Sequence, residues 1–229
     1  MGLVMKKRLL LFDIDGTLVL TRGAGREATK HAMREVFGDA GDIEGHAFGG
    51  KTDWSTLLEL LTPRGIAPAD IEQHMPRYAA TMGRHLAQII GDFPVIPCLH
   101  ADDVVAELRG RADLHFGIVT GNVQPAAPIK LRAGGFDPAW FPVGAHGDEA
   151  VERDSLPLLA IQRAQQHYRV EFAPDEVIVI GDTPADVQCA RAAGAVAVAV
   201  LTGAGSRTDL EASQPDFLFD DLRALAEMV

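Results

Sequence analysis

Cysteine is almost missing from this 229-residue chain, which has only Cys98 and Cys189. The two lie far apart and fit no ligand spacing, so neither a disulfide framework nor a thiolate metal site is expected. Both read as small, buried apolar residues. Basic charge is scarce as well: 21 Lys and Arg face 32 Asp and Glu, for a net charge of -11. Nucleic acid and anionic membrane surfaces want a basic face, so neither is an expected partner. No apolar run is long enough to span a membrane. The N-terminal "MGLVMKKRLLLFDID" imitates a secretory leader only briefly, because Asp13 cuts its apolar run and no small-residue cleavage site follows. A cytoplasmic protein is therefore expected. His31, His46, His74, His85, His100, His115, His146 and His167 show no HxH or HExxH spacing, which argues against a histidine metal site. Internal repeats and low-complexity segments are absent too.

What remains is an ordinary globular composition, 47% hydrophobic and 23% charged, sufficient for one large domain or a domain with an insert. The short continuous runs "RLLLFD" (8–13), "HFGIVT" (115–120), "EVIVIG" (176–181) and "AVAVAVL" (195–201) read as strands buried on both faces. "AWFPVGA" (139–145) is a weaker strand, interrupted by Pro142. Helical patterns at 100–110, 125–135, 154–168 and 183–194 alternate with these runs; the segment 125–135 ends in two glycines and Pro184 stands near a helix start. The alternation predicts an α/β fold with a doubly wound parallel sheet.

Residues 21–94 break the alternation. "GREATKHAMREVFG", "TDWSTLLELLTPRG" and "PADIEQHMPRYAATMGRHLAQII" are helical patterns with no strand between them. The prediction is a core made of residues 1–20 and 95–229, with a small helical domain inserted at 21–94. The joints "LTRGAG" and "GDFPVIPC" carry the Gly and Pro that boundaries favour.

Ligands of open α/β sheets bind beyond the carboxyl ends of the strands. The first strand ends in Asp13, Ile14, Asp15, Gly16 and Thr17; another ends in Thr120, Gly121 and Asn122; a third in Gly181, Asp182, Thr183, Pro184, Ala185 and Asp186. Four carboxylates thus converge on one sheet edge. Crowded like charges repel and raise one another's pKa. A cation would relieve them, and oxygen ligands favour Mg²⁺.

"DIDGT", "TGN" and "GDTPAD", in this order and each after an apolar strand, resemble motifs I, II and IV of the haloacid dehalogenase superfamily. The helical insert resembles that superfamily's C1-type cap. The resemblance implies Mg²⁺-dependent phosphoryl transfer with a Rossmann-like core. Asp13 would be the nucleophile, and Asp15 the general acid and then the general base. The Asp15 backbone carbonyl and the Asp13 and Asp182 side chains would hold Mg²⁺, with Asp186 touching metal waters or a lysine. Thr120 and the Gly121 N–H would hold phosphoryl oxygens, with Thr17 and Asn122 beside them. A helix starting near Gln124 would aim its N-terminus at the anion. Members that cleave carbon–halogen bonds lack a carboxylic acid at the position of Asp15, because halide leaves without a proton; Asp15 therefore favours phosphate esters.

The superfamily's third motif is a cation beside the nucleophile, often as "KP". The corresponding "GDEAVERDSLP" has no lysine, and Arg153 is its only cation. Lys130, on the helix after "TGN", is the alternative. Lys130 is favoured over Arg153, since a compact ammonium suits a point-charge role. Lys51 in "FGGKTD" is placed either at the substrate or at an ordinary helix start, where Thr52 and Asp53 look like an N-cap. Arg22 reads as a surface residue, and Phe48, Trp54 and Met82 as cap core on helical patterns. "TGAGS" (202–206) reads as a loop that could border the site.

The expected function is hydrolysis of a small phosphate monoester, phosphoglycolate-phosphatase-like, by a monomer or homodimer. A sugar phosphomutase is the rival on the same fold; its members usually carry a histidine after motif I, where this chain has "TRGAGRE". A non-enzymatic phosphometabolite-binding protein, or a receiver-type acceptor domain, explains less of the pattern.

Overall fold

Leu9, Leu10, Leu11 and Phe12 expose no surface at all. A run without polar alternation has no face to give to solvent, so it belongs in the middle of a sheet covered on both sides. The computed structural model, which describes residues 7–229, puts it there; residues 1–6, assigned to the core from the sequence, lie outside the described residues.

The strands of the described residues are, in chain order, β1 (Arg8–Phe12), β2 (Val19–Leu20), β3 (Ile96–Pro97), β4 (Leu114–Val119), β5 (Val143–Ala145), β6 (Val177–Gly181), β7 (Val196–Val200) and β8 (Phe217–Phe219). Six form one sheet in the order β5-β4-β1-β6-β7-β8, with every pairing parallel. The strand order reverses on either side of β1, so helices cover both faces and the sheet is doubly wound, as the pattern predicts. The helices are α1 (Ala24–Phe37), α2 (Asp53–Leu61), α3 (Pro68–Ile89), α4 (Ala101–Leu108), α5 (Ala127–Ala133), α6 (Leu156–Tyr168), α7 (Pro184–Ala192), α8 (Arg207–Ser213) and α9 (Arg223–Met228).

Alternate residues of β1 feed two apolar cores. Leu10 and Phe12 pack with residues of α4, α5 and α9, while Leu9 and Leu11 pack with residues of α6 and α7. A third core, built from α1, α2 and α3, belongs to the helical insert. It also takes in Val123 and Ala126 from the segment after β4. The insert is thus seated on the sheet's carboxyl edge by apolar burial.

Several local expectations change. The strand at 139–145 shortens to β5, because Pro138–Trp140 form a 3₁₀ turn and Pro142 offers no N–H to the ladder. The two-residue ribbon β2–β3 and the edge strand β8 went unread, being too short to show periodicity. Helix α5 begins at Ala127 rather than near Gln124. Phe48 lies in the loop before α2, not on a helix. Cys98 and Cys189 are buried and free, and burial pushes both thiols up to about 12, so neither serves as a thiolate. No helix among the described residues is long and apolar enough to cross a membrane.

Candidate active site

Parallel register brings the motifs together. Phe12 pairs with Ile118 of β4 on one side and Ile180 of β6 on the other, so the residues that follow these three strands leave the sheet side by side. The Asp13 N–H still donates to Ile180 O at 2.9 Å, and the Thr120 N–H to Ala145 O at 3.1 Å. Asp13, Asp15, Thr120 and Asp182 all line one cavity of about 450 Å³, roofed by residues of the helical insert.

One half of its floor is acidic. Carboxylate oxygens of Asp13, Asp182 and Asp186 lie within 4.8 Å of one another, and all three residues are buried. Arg153 Nη2 stands 3.2 Å from Asp13 Oδ1 and also pairs with Asp186 Oδ1. The other oxygen of Asp186 accepts from the Thr183 N–H at 2.9 Å and from Thr183 Oγ1 at 2.7 Å. Asp182 Oδ2 accepts from the Ala204 N–H at 2.6 Å, whereas the buried Asp182 Oδ1 has no hydrogen-bond partner. Burial pushes the Asp13 carboxyl up to about 6, with Arg153 opposing and Asp186 and Asp15 adding to the rise. Burial, then the charges of Asp186 and Asp13, push Asp182 up to about 8. For Arg153, burial works against the charge, but Asp186 and Asp13 outweigh it and fix the guanidinium as a cation.

This donor set fits a divalent metal. Three converging carboxylates supply only hard oxygen ligands, and the buried Asp182 Oδ1 is an acceptor left without a partner on one of them. Gly16 makes the packing possible. Its φ of +87° is a left-handed conformation, and a Cβ there would lie 2.5 Å from Asp182 Oδ2.

The other half of the floor is organised around Asp15, which is not part of that triad. Lys130 Nζ donates to Asp15 Oδ2 at 2.6 Å, Asn122 Nδ2 to the same oxygen at 2.8 Å, and Thr21 Oγ1 to Oδ1 at 2.9 Å. Asn122 Nδ2 also donates to Thr120 Oγ1 at 2.7 Å, and Asn122 Oδ1 accepts from Lys130. Burial would raise Asp15, but the charge of Lys130 and these hydrogen bonds outweigh it and hold the carboxyl below its usual range.

The preference for Lys130 beside the nucleophile therefore meets a different arrangement. Arg153 reaches Asp13, and Lys130 reaches Asp15. The reason is topological: Arg153 precedes α6 and is buried against the start of α7, next to Asp186, whereas α5 carries Lys130 towards the helical insert. Thr17 departs further from expectation, since it is fully buried and does not line the cavity. Lys51 and Gly121 do line it. The Lys51 ammonium, however, is tied to Glu59, and Thr52 caps α2 by accepting from the Ser55 N–H at 3.0 Å. The segment thus caps α2 and also lines the cavity, while the lysine side chain is engaged by Glu59. Gly121 is needed for close approach, because a Cβ there would collide with the Lys51 carbonyl. Arg22 is exposed at the rim, at a φ of 50°. Phe48 and Met82 pack with the insert's core and line the cavity as well.

Three participants went unrecognised. Thr21 holds Asp15, the Ala204 N–H holds Asp182, and Asp53 holds the Val123 N–H from the insert. Nothing in the sequence distinguishes Asp53 from an ordinary first-turn acid, and a backbone donor such as Ala204 leaves no side-chain signal.

Comparison with known proteins agrees with the geometry. The family model of haloacid dehalogenase-like hydrolases matches residues 10–191, and a second model, of HAD-hydrolase-like proteins, matches 158–225. The chain is 28% identical over 222 residues to a phosphoglycolate phosphatase of Synechococcus elongatus, covering 96% of each. It is 25% identical over 223 residues to the pyrophosphatase PpaX of Bacillus cereus, covering 96% of this chain and 95% of the relative. CbbY of Rhodobacter sphaeroides, solved in complex with phosphate, superposes with a TM-score of 0.65 at 22% identity, covering 96% of each chain.

Proposed function

This chain belongs to the haloacid dehalogenase-like hydrolase family, and from that premise we propose that it is a Mg²⁺-dependent phosphatase of small phosphate monoesters, working through an aspartyl-phosphate on Asp13. The observation that carries the reading is the position of Asp13. Its carboxylate shares a buried triad with Asp182 and Asp186, touches Arg153, and forms part of the floor of a cavity that Asp15 and Thr120 also line.

A carboxylate attacks a phosphate dianion only if repulsion between them is relieved. A divalent cation held by Asp13, Asp182 and Asp186 supplies that relief when bound. Arg153 keeps Asp13 ionised and oriented, since a fixed guanidinium beside a buried carboxylate favours its charged form. The Thr120 hydroxyl and the Gly121 N–H bind the phosphoryl oxygens. As the Asp13–phosphorus bond forms and the ester bond breaks, Asp15 passes a proton to the leaving oxygen. In the free chain Lys130, Asn122 and Thr21 hold Asp15 ionised; the incoming phosphate charge raises its proton affinity, so that Asp15 takes up from solvent, as substrate binds, the proton it then passes on. Once the alcohol has left, Asp15 takes a proton from water, whose oxygen displaces Asp13 from phosphorus. The helical cap screens the acyl phosphate from bulk water.

Similarity to a phosphoglycolate phosphatase and a pyrophosphatase sets the first substrates to try, and the size of the cavity suits a small metabolite. The test is a screen of phosphate monoesters and inorganic pyrophosphate with Mg²⁺, with EDTA, and with Asp13→Asn. Turnover that needs Mg²⁺ and vanishes in the Asn variant supports the scheme; equal turnover by Asp13→Asn removes the nucleophile.

A further inference from the structure

Asp53, the first residue of α2, is a buried carboxylate that faces the cavity from the side of the insert. Its partners belong to the other side. The Asp53 N–H donates to Gly121 O at 2.7 Å, and Asp53 Oδ2 accepts from the Val123 N–H at 2.8 Å. One residue of the insert therefore clamps the backbone on both sides of Asn122. Neighbouring bonds extend the clamp: Thr52 Oγ1 donates to Val151 O at 2.8 Å, the Trp54 N–H to Gly147 O at 3.0 Å, and the Gly147 N–H to Asn122 O at 2.7 Å. Val123 and Ala126 are buried in the insert's own apolar core.

An aspartate in a first helical turn commonly serves the helix itself, by stabilising its positive end. That account does not cover Asp53. Thr52 and Ser55 already form a reciprocal capping box at this terminus, and a residue there only for the dipole has no reason to be buried. The carboxylate is instead committed to an amide of another element, at the cost of desolvation, which pushes it up to about 6.

The segment so held carries Asn122, whose amide joins Asp15, Thr120 and Lys130. We propose that Asp53 is a positioning residue: through the backbone of residues 121–123 it sets Asn122, and through Asn122 it sets Asp15, so that proton delivery to the leaving group requires the insert to be docked. The proposal rests on the phosphatase reading of Asp15.

The experiment uses leaving groups. Proton delivery matters greatly for an alkyl phosphate and little for p-nitrophenyl phosphate, whose phenolate leaves readily. For Asp53→Ala, kcat on an alkyl monoester such as 2-phosphoglycolate should fall about 10- to 100-fold, and on p-nitrophenyl phosphate by less than about 3-fold. The ratio of the two values is independent of how much of the variant is folded, so partial unfolding cannot imitate the result. Asp53→Asn keeps an oxygen acceptor for the Val123 N–H and should restore most of the ratio. Equal losses on both substrates, or an Asn variant as selective as the Ala variant, would overturn the proposal and leave the phosphatase reading standing. No turnover of any monoester by the parent chain would overturn that reading and this proposal together.

Discussion

Arg153 Nη2 lies 3.2 Å from Asp13 Oδ1, and the same nitrogen pairs with Asp186. Both carboxylates and the guanidinium are buried, so the cation compensates charges that water reaches little. Removing one partner of a buried ion pair costs about 3–5 kcal/mol, because the other is left uncompensated. Arg153→Met should destabilise the metal-free protein by about that amount in urea titrations, and added Mg²⁺ should recover part of it. Arg153→Lys should recover part of it, since an ammonium restores the charge but on a shorter stem that must still reach both Asp13 and Asp186.

Lys130 makes a separate prediction. It is buried beside Asp15, where its charge and hydrogen bond counter the effect of burial and keep the carboxyl low. Lys130→Met fills the volume without the charge, so the Asp15 pKa should rise. Asp15 must be ionised to accept a proton from water, so the acidic limb of the kcat–pH profile should move to higher pH. The stability sign follows from the same shift. A lowered Asp15 contributes stability that is present above its unfolded value of 3.8 and lost as pH falls through the folded value; the variant should lack this acid-side loss. A profile that keeps its acidic limb in place would assign Lys130 another role.

The strands that position the site could be read because β1, β4, β6 and β7 are continuous apolar runs, and a parallel sheet buried on both faces demands such runs. Asp13, Asp15, Thr120 and Asp182 could be read for the same reason: each stands where such a run stops. What side chains choose across space could not. Arg153 precedes α6 and Lys130 lies in the last turn of α5, and only the packing of α6 against α7 and of α5 against the insert decides which carboxylate each meets. Thr17 sits inside a motif, yet the tight turn after Gly16 buries it away from the cavity. Asp53 and Ala204 act on or through backbone amides, which have no residue type to betray them.

Gly16 tests how tightly the acidic half is packed. At φ +87° any other residue is strained by about 1–3 kcal/mol. The added methyl of Gly16→Ala would also press on Asp182 Oδ2, the oxygen that accepts from the Ala204 N–H. Asp182 must then shift within the triad. The variant should lose thermal stability and, more tellingly, bind Mg²⁺ at least about 10-fold more weakly by calorimetry, an effect of about 1.4 kcal/mol. An unchanged Mg²⁺ affinity in a destabilised variant would separate the strain from the metal site.

The strongest test of the carboxylate triad needs no mutation. Asp13 and Asp182 have folded values of about 6 and about 8, raised chiefly by burial above an ordinary 3.8. A raised carboxyl binds its proton more tightly in the folded state. The stability it contributes is complete below pH 3.8 and is lost as pH climbs through the folded value, here between about 4 and about 8 across the pair. A divalent cation competes with those same protons, so its binding should be weak near pH 5 and strengthen towards pH 8. The rise in Tm on adding Mg²⁺ should grow across that interval, approaching the equivalent of about 2.7 kcal/mol once the free ion exceeds its dissociation constant about 100-fold. Lysine and arginine pairs elsewhere on the surface contribute equally with and without the ion, so the difference between the two melting curves isolates the triad. A Mg²⁺ increment that is flat with pH, or that shrinks towards pH 8, would place the ion on groups other than Asp13 and Asp182.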